Sequence, residues 1–398
     1  MDLLVKHNPA TTNHTCKLHK CSQYDSCLIT EQSSHVQRWS CHSYRDHYVR
    51  ARDRCRIPVL YETNPLMISG ATLMNRFPHP STTVRHTFGF VLVTAALLTA
   101  ALAQNNQPPR STDRPVLIWD IDLNLANDVP RNFRTTNDRP NEGSGKKTVT
   151  TGLSDLRASG SGEFSLVGLK TLLPRMQGPL TVFDLRQETH LFVNDLPLSW
   201  YASHDWANVG RTQADIEKQE AEKVQSFKPG SDIEVRPGQP VKHGNGSSVT
   251  PQQVTVDRAS TERNVVESVG AHYVRVAVTD HACPLDSAID EFVIAVRGLP
   301  KNAWAHFHCE AGLGRTTTFM VLYDMLRNAN RVSLDDIVQR QKILSKGYDV
   351  LQPPDGGDWK APYAADRAKF IRAFYDYARA NPNGQPKLWS EWLKSGAQ

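Results

Sequence analysis

Residues 306–319 read HFHCEAGLGRTTTF, where one cysteine, two glycines and one arginine separate an apolar run from a helix-forming segment. The preceding run, 303–308, predicts a β-strand, and residues 316–328 predict a helix. A glycine-containing turn between a strand and a helix predicts an anion site, because main-chain N–H groups and the positive end of the helix face it. Both glycines are expected to take positive φ. The main chain that binds the anion is expected to come from Glu310, Ala311, Gly312, Leu313 and Gly314.

Cys309 and Arg315 add chemistry to this anion site. A thiol beside an arginine at a helix N-terminus has its pKa lowered from about 8.5 into the range of about 3.5–7.5, which predicts a thiolate at neutral pH. The guanidinium of Arg315 matches two phosphate oxygens, and the hydroxyl of Thr316 can hydrogen-bond the sulfur. The pattern HCxxGxGR[ST] therefore predicts nucleophilic phosphoryl transfer. The alternative is a similar turn around a buried, inert cysteine.

The leaving oxygen of such a reaction needs a proton, which a thiolate cannot supply. The segment Thr279–Pro284, TDHACP, begins where a predicted strand ends and offers Asp280 as the general acid. The alternative is that Asp280 caps the following helix or belongs to a turn, which is a common role for aspartate at such a position.

The chain has 398 residues, enough for one large domain or two modest ones, of which 39% are hydrophobic and 22% are charged. Its formal net charge of +5 comes entirely from the first 103 residues, because residues 104–398 carry equal numbers of basic and acidic side chains. A formally neutral body does not indicate a nucleic-acid partner. Any attraction for an anion therefore has to be local.

Residues 74–103 have the pattern of a secretory signal peptide: a basic start, an apolar run and an Ala-Leu-Ala end before Gln104. The run is shorter than the roughly 20 apolar residues of a membrane span. We expect Met74 to be the true start, residues 1–73 to be absent from the mature protein, and residues 104–114 to be a flexible leader. The product is then secreted or periplasmic, without stable membrane association. The alternative is an internal signal-anchor behind a genuine N-terminal region.

Five of the seven cysteines lie in the first 73 residues, at spacings that match no metal-site pattern well. Only Cys283 and Cys309 remain in the expected mature chain, which is too few for a disulfide framework. A reversible disulfide between these two is one hypothesis. The commoner role for Cys283 is that of a buried apolar side chain.

Alternating strand and helix patterns predict an α/β architecture for a phosphatase domain over residues 115–398. Residues 227–261 are rich in Gly, Pro, Val and Thr, which predicts short strands and turns. Further strands are predicted at 115–119, 179–186, 273–279 and 303–308, and helices at 165–176, 212–225, 285–296, 316–328, 334–344 and 364–379.

Several separated blocks resemble the protein-tyrosine-phosphatase-like inositol phosphatases, the cysteine phytases. HFHCEAGLGRTTTF is similar to that family's HCxAGxGRTT loop, and TDHACP to its TDHxxP general-acid loop. VFDLRQETHLFVNDLPLSWY, DWANVGRT, VPRNFRT and DWKAPY extend the resemblance over about residues 115–396. It implies a tyrosine-phosphatase α/β core, a central sheet flanked by helices, with a small inserted partial β-barrel expected near residues 195–262. The implied reaction is stepwise hydrolysis of myo-inositol hexakisphosphate without a metal or other cofactor.

Carried over residue by residue, the resemblance makes Cys309 the nucleophile, Asp280 the general acid and Arg315 the phosphate clamp. It also implies a pocket lined with cations for the remaining phosphates of the substrate. For each cation the alternative is a solvated surface charge. The matching positions are Arg134, His281, Lys360 and Arg367, the last standing where the family has a lysine.

Other residues of the matching blocks are expected to support the structure. His308 is expected to order the loop through hydrogen bonds, and His306 to pack in the core. Leu191 and Asp195 stand where the family usually has glycine, which is expected to alter the turn there. Structural rather than catalytic roles are expected for Asp184, Arg186 and His190.

Two other functions stay open at this point. The loop alone also permits a secreted phosphatase that acts on phosphotyrosine proteins or phosphoinositides, as an effector on host targets. A third interpretation is a module that binds inositol phosphates without turnover. The presence of Cys309, Asp280 and Arg315 together argues against that module, because binding alone does not need a thiol. The sequence indicates no particular oligomeric state.

Overall fold

The computed structural model describes residues 2–4, 15–17, 107–138, 148–245 and 249–396. The predicted signal peptide and the expected start at Met74 lie outside the described residues. The chain divides into two units, Met1–Val84 and Arg85–Gln398. In the first unit, strands β1 (Asp2–Leu4) and β2 (Thr15–Lys17) pair in antiparallel fashion.

The second unit is a mixed α/β structure, as the sequence predicts. Its strands are β3 (Val116–Trp119), β4 (Arg134–Thr135), β5 (Ala158–Ser161), β6 (Leu180–Arg186), β7 (His190–Val193), β8 (Leu196–Tyr201), β9 (Asp232–Pro237), β10 (Gln252–Thr255), β11 (Ala259–Ser260), β12 (His272–Val278) and β13 (Trp304–His308). Its helices are α1 (Leu166–Leu172), α2 (Gln213–Ser226), α3 (Glu262–Ser268), α4 (Asp286–Arg297), α5 (Gly314–Asn328), α6 (Leu334–Leu344), α7 (Ala361–Ala380) and α8 (Trp389–Lys394). Short 3₁₀ turns and one irregular turn complete it, at Leu123–Leu125, Ser154–Leu156, Leu173–Arg175, Ser203–Asp205, Gly238–Asn245 and Pro382–Gly384.

Five strands form the central sheet in the order β12–β6–β13–β5–β4. The first four are parallel, and β4 pairs antiparallel to β5 at one edge. Every residue of β6 and β13 is buried, as expected for parallel strands covered on both faces. Parallel strands place their carboxyl ends at one edge of the sheet. The segments that follow β6, β12 and β13, which contain Glu188, Asp280 and Cys309, therefore meet at that edge.

The central sheet is held between two apolar clusters. On one side, Phe307 of β13 packs with its ring centroid 4.8 Å from that of Phe183 and 6.2 Å from that of Phe292 in α4. On the other side, Leu169 of α1 and Val266 of α3 belong to a second cluster with the strands. The strand that carries the cysteine loop is thus anchored on both faces.

A second sheet has the order β10–β9–β3–β8–β7–β11, in which neighbours are antiparallel except for β9 and β3. It includes β3 and β7, which precede the range 195–262 expected for the smaller domain. A two-residue turn at Asn194 and Asp195, both with positive φ, joins β7 to β8. Asp195 fills the position where glycine was expected, and its carboxylate pairs with Arg258. That this sheet forms a partial barrel stays a prediction.

Among the described residues, no helix has both the length and the apolar character needed to cross a bilayer.

Phe307→Ala tests whether this core sets the stability of the fold. Removing a fully buried aromatic ring should lower the free energy of unfolding by about 3–5 kcal/mol, because the site keeps a cavity. Ile294→Ala, on an α4 side chain that is 54% exposed, is the matched control and should change it by less than about 0.5 kcal/mol. Urea unfolding measures the free energy of unfolding of both variants. Similar decreases in the two would contradict the placement of Phe307 in the core.

Candidate active site

The sulfur of Cys309 lies at the start of the loop between β13 and α5. It accepts hydrogen bonds from the Gly312 N–H, at 3.3 Å, and from the Thr316 hydroxyl, at 3.1 Å. The side chain is buried, with 2% of its surface exposed. Both donors stabilise negative charge on the sulfur, as the sequence predicts for Thr316.

The loop needs one of its two glycines for conformational reasons. Gly312 has a φ of 75°, and a Cβ there would lie 2.2 Å from the Gly162 nitrogen, so any other residue is excluded. Gly314 differs from expectation: it begins α5 and is not among the residues with positive φ. Its small size instead leaves room for the Tyr348 hydroxyl, which lies 3.3 Å from the position of an added Cβ.

A buried ion pair fixes Arg315. Its Nη1 and Nη2 atoms donate to Glu188 Oε2 and Oε1 at 2.6 and 2.9 Å, a two-pronged geometry that locks the plane of the guanidinium. Burial alone would raise the pKa of Glu188, but the charges of Arg315 and then Arg186 hold it far below its usual range. Glu188 therefore stays ionised and keeps Arg315 oriented.

Asp280 lies beside the same arginine. Its Oδ1 atom is 3.1 Å from Arg315 Nε, and its Oδ2 atom is 3.0 Å from His281 Nε2. Burial would raise the pKa of Asp280, but Arg315 and then His281 lower it well below its usual range. Two side chains also hold the main chain of this segment. Trp206 donates to the Asp280 carbonyl, and Arg367 donates to the His281 carbonyl.

These side chains meet in one cavity of about 230 Å³. Most of the predicted site residues line this cavity. Tyr348 lines it too, and the sequence analysis missed that residue. The predicted residues that line it are Asp280, His281, Cys309, Glu310, Ala311, Leu313, Gly314, Arg315, Lys360 and Arg367.

Arg134 differs from the expectation that it lines the pocket. It is 3% exposed, and its Nη1 and Nη2 atoms donate to the Gly312 carbonyl, at 2.8 Å, and to the Thr317 hydroxyl, at 2.9 Å. Burial lowers its pKa to about 10. Arg134 thus supports the loop from behind, because β4 lies at the sheet edge next to β5 and its side chain reaches the loop's outer side.

Two further cavities share His281 and Lys360 with the central one. One, of about 440 Å³, includes Arg131 and Lys242, and the other, of about 420 Å³, includes Arg367. The site therefore opens into a wider region lined by charged side chains of both signs, with Asp205, Glu310, Asp349 and Asp358 beside the cations.

Glu310 connects the loop to the first of these cavities. Its Oε1 atom is 2.5 Å from Arg131 Nη2, and its Oε2 atom is 3.4 Å from Lys242 Nζ. Lys242 also pairs with Asp205, at 2.7 Å. Sequence reasoning missed Arg131, Lys242 and Glu188. The usable signal for Glu188 was its place just after β6, whose neighbour β13 leads to Cys309.

His308 lies behind the loop and does not line the cavity at Cys309. Its Nε2 atom is 2.7 Å from Glu262 Oε1 and its Nδ1 atom is 3.8 Å from Glu163 Oε2, so it pairs with carboxylates behind the loop. Burial would lower its pKa, but Glu262 and then Glu163 raise it to about 9. His306 does more than pack, because its Nδ1 and Nε2 atoms lie 2.9 and 3.2 Å from the hydroxyls of Ser159 and Ser161.

A buried network of charges extends behind the loop from these histidines. Arg186 Nη1 lies 3.0 Å from Asp120 Oδ2 and 2.5 Å from Glu163 Oε2. Asp184 Oδ2 lies 3.3 Å from His190 Nε2. None of these five side chains lines the cavity at Cys309, so their placement fits the structural roles expected for Asp184, Arg186 and His190.

Two triads within this network have metal-binding donor types: Glu163, Glu262 and His308, and Asp184, His190 and Glu262. Glu262 contacts both imidazoles directly, at 2.7 and 3.0 Å. Ligands of a tetrahedral metal at about 2.1 Å are about 3.4 Å apart. The two contacts of Glu262 are shorter than this spacing, as in ion pairs.

Cys283 is buried, and burial raises the pKa of its thiol to about 12. Cys283 and Cys309 are both free thiols in the structure. The hypothesis of a reversible disulfide between them stays a prediction.

The site thus joins a buried cysteine at the end of a parallel strand, a glycine loop and an arginine in the first turn of the next helix. The PTP-like phytase family model, described as "Inositol hexakisphosphate", matches residues 183–327. A PTP-like phytase structure from Bdellovibrio bacteriovorus is 39% identical over 72% of this chain and 98% of its own, with a TM-score of 0.60. The chain belongs to the PTP-like phytase family.

Two more relatives extend the comparison. A PTP-like myo-inositol phosphatase from Mitsuokella multacida, solved in complex with myo-inositol-(1,3,4,5)-tetrakisphosphate, is 34% identical over 77% of this chain and 54% of its own, with a TM-score of 0.64. The effector protein hopD2 of Pseudomonas syringae pv. tomato is 38% identical over 291 residues. That match covers 72% of this chain and 61% of hopD2, so the chain spans less than two thirds of that relative.

The raised pKa of His308 predicts a pH-dependent stability. Folding raises this pKa from 6.5 to about 9, so the stabilisation from the protonated ring is complete below pH 6.5 and is lost as the pH rises through 9. The free energy of unfolding in urea should fall across this window, and less steeply in His308→Gln. The same decline in both proteins would contradict the buried ion pair.

Proposed function

We propose that the protein is a cysteine-dependent phosphatase that removes phosphate groups stepwise from myo-inositol hexakisphosphate. The observation that carries the proposal is the Cys309 sulfur, which accepts two hydrogen bonds at the base of a cavity lined by Arg315, Lys360 and Arg367. Family membership and the inositol tetrakisphosphate complex of the Mitsuokella relative support an inositol phosphate as substrate.

In the first half-reaction the thiolate of Cys309 attacks one phosphorus atom in line with the inositol oxygen. A sulfur–phosphorus bond forms while the phosphorus–oxygen bond to the ring breaks. Arg315 and the loop N–H groups stabilise the equatorial oxygens. Asp280 gives its proton to the departing inositol oxygen, so the alcohol leaves without a full negative charge.

Asp280 takes up that proton from solvent when the substrate binds. Paired with Arg315 and His281, its carboxyl is ionised, as its lowered pKa requires. A bound phosphate monoester brings negative charge next to Asp280 and competes with it for the positive charge of Arg315. Both effects raise the pKa of Asp280, because a neighbouring like charge favours the neutral acid. The acid is therefore loaded only when an anion occupies the loop.

In the second half-reaction Asp280, now a carboxylate, takes a proton from water as the water oxygen attacks the phosphorus. The sulfur–phosphorus bond breaks and inorganic phosphate leaves. The electron pair returns to the Cys309 sulfur, where the Gly312 N–H and the Thr316 hydroxyl donate to it. The enzyme is then ready for the next phosphate.

The flanking cavities suit the other phosphates of a highly charged substrate. Arg131 and Lys242 lie on one side of the shared pair His281 and Lys360, and Arg367 lies on the other. A formally neutral body can hold such a substrate if phosphates compete with Glu310 and Asp205 for Arg131 and Lys242, and if Lys360 and Arg367 bind on the same opening.

Cys309→Ser is the principal test of the proposed function. Phosphate release from phytate should be abolished, because a serine hydroxyl is not ionised at neutral pH, whereas phytate binding should remain measurable by calorimetry. The assay contains a chelator, which also tests the prediction that no metal is needed. Appreciable phosphate release by Cys309→Ser, or none by the wild type, would refute the proposal.

Asp280→Asn should slow phosphate release by about 100- to 10,000-fold, since an amide cannot protonate the leaving oxygen. The loss should fall on kcat more than on KM, because Asn keeps the shape of the side chain. Stopped-flow measurement with phytate gives both constants. A rate within a few fold of the wild type would exclude Asp280 as the acid.

A second candidate function is favoured by the similarity to hopD2, which is named as an effector protein. In that case the same loop acts on phosphotyrosine proteins or phosphoinositides. Comparing kcat/KM for phytate, a phosphotyrosine peptide and a phosphoinositide separates the two candidates. A higher value for phytate supports the inositol phosphate assignment, and a higher value for either of the others supports the second.

We also propose that the protein is exported, on the strength of the signal-peptide pattern in residues 74–103. N-terminal sequencing of the secreted form should give a chain that begins near Gln104. A mature protein that begins elsewhere would remove this part of the proposal.

A further inference from the structure

Glu262, the first residue of α3, lies between two imidazole rings in the protein interior. Its Oε1 atom is 2.7 Å from His308 Nε2, and its Oε2 atom is 3.0 Å from His190 Nε2. All three side chains are at most 2% exposed. One carboxylate therefore uses each of its two oxygens on a different histidine.

The two rings belong to different sheets. His308 ends β13 of the central sheet and directly precedes Cys309, whereas His190 begins β7 of the second sheet. The two histidines are far apart in the sequence, and the side chain of Glu262 contacts both. Its ion pairs thus tie the strand that carries the nucleophile to the neighbouring sheet.

We propose that Glu262 is a positioning residue for the reaction at Cys309. It bridges His308 and His190 and so fixes the end of β13. The proposal rests on the function proposed above for Cys309. Glu262 does not line the cavity, so it acts through His308 rather than on the substrate. A buried group that holds the residue next to a nucleophile changes the rate, because small displacements of reacting atoms are costly.

The bridge also sets the charge of His308. The groups that face its ring are Glu262, Glu163 at 3.8 Å, the more distant Asp184 and the ring of His306. His306 is neutral near pH 7, because burial and then His308 lower its pKa to about 3. With Glu262 present, the pKa of His308 is about 9 and the ring is a cation across the neutral range. Because His308 directly precedes Cys309 in the chain, we expect this cation to favour negative charge at the loop.

Glu262→Gln is the direct test. The amide keeps the shape but not the charge, so His308 should lose its proton at a lower pH than in the wild type. We expect kcat for phytate to fall by on the order of 10- to 100-fold near pH 7.5, with KM changed by less than about threefold. The ratio of wild-type to variant kcat/KM should rise between pH 6 and pH 8.5.

Three comparisons separate positioning from a loss of folding. Glu262→Asp keeps the charge but is too short to reach both rings, so its activity should lie between those of the wild type and Glu262→Gln. Glu267→Gln, on an exposed residue of the same helix, should match the wild type. A Glu262→Gln variant that is merely less stable in urea, with a pH-independent activity ratio, would overturn the proposal. Should Glu262→Gln not fold, the pH dependence of Glu262→Asp decides.

A measurement that needs no turnover distinguishes failure of this proposal from failure of the proposed function. Carboxymethylation of Cys309 by iodoacetate, followed by mass spectrometry of the peptide, reports the reactivity of the sulfur. The rate in Glu262→Gln should be several-fold lower than in the wild type, with a difference that grows with pH. Equal rates and equal profiles would refute the role of Glu262, whether or not the wild type hydrolyses phytate.

Discussion

The ion pair between Arg315 and Glu188 is the contact on which the site depends. A guanidinium in the first turn of α5 would have several ways to turn, but two hydrogen bonds of 2.6 and 2.9 Å to one buried carboxylate fix its plane. Its Nε atom then lies 3.1 Å from Asp280 Oδ1. Because Glu188 follows β6, Asp280 follows β12 and Cys309 follows β13, the parallel order of the central sheet brings these side chains and Arg315 to one edge.

The charged side chains that matter for the site are grouped around the loop, although the formal net charge of residues 104–398 is zero. A network of buried acids and bases lies behind the loop, and charged side chains of both signs line its mouth. Such a network is costly to bury unless every charge has a partner. Its members hold one another in place, and the pKa values of Asp280, Glu188 and His308 are set by those partners rather than by solvent.

Much of the fold and of the loop could be predicted from the sequence, because strong local patterns specify them. The strand to His308 and the helices at 285–296, 334–344 and 364–379 were predicted with small shifts at their ends. β5, with the sequence Ala-Ser-Gly-Ser, was not predicted, because it has no β-branched or aromatic residue and owes its pairing to β13. α3 was missed for a similar reason, since its seven residues include only two apolar ones.

The sequence predicted the residues that meet at the cavity better than the residues that support them. Cys309, Asp280 and Arg315 stand in recognisable blocks, whereas the contacts of Glu188 and Glu262 depend on which strands are neighbours. Arg134 shows the opposite error, because a motif position cannot tell whether a cation faces the pocket or the back of the loop. The most direct test of the account is to mix the protein with phytate, stop the reaction with denaturant within milliseconds, and search the peptides for phosphate by mass spectrometry. The account predicts an adduct on Cys309 that is absent from Cys309→Ser; phosphate release with no adduct there, or with an adduct on another residue, would contradict it.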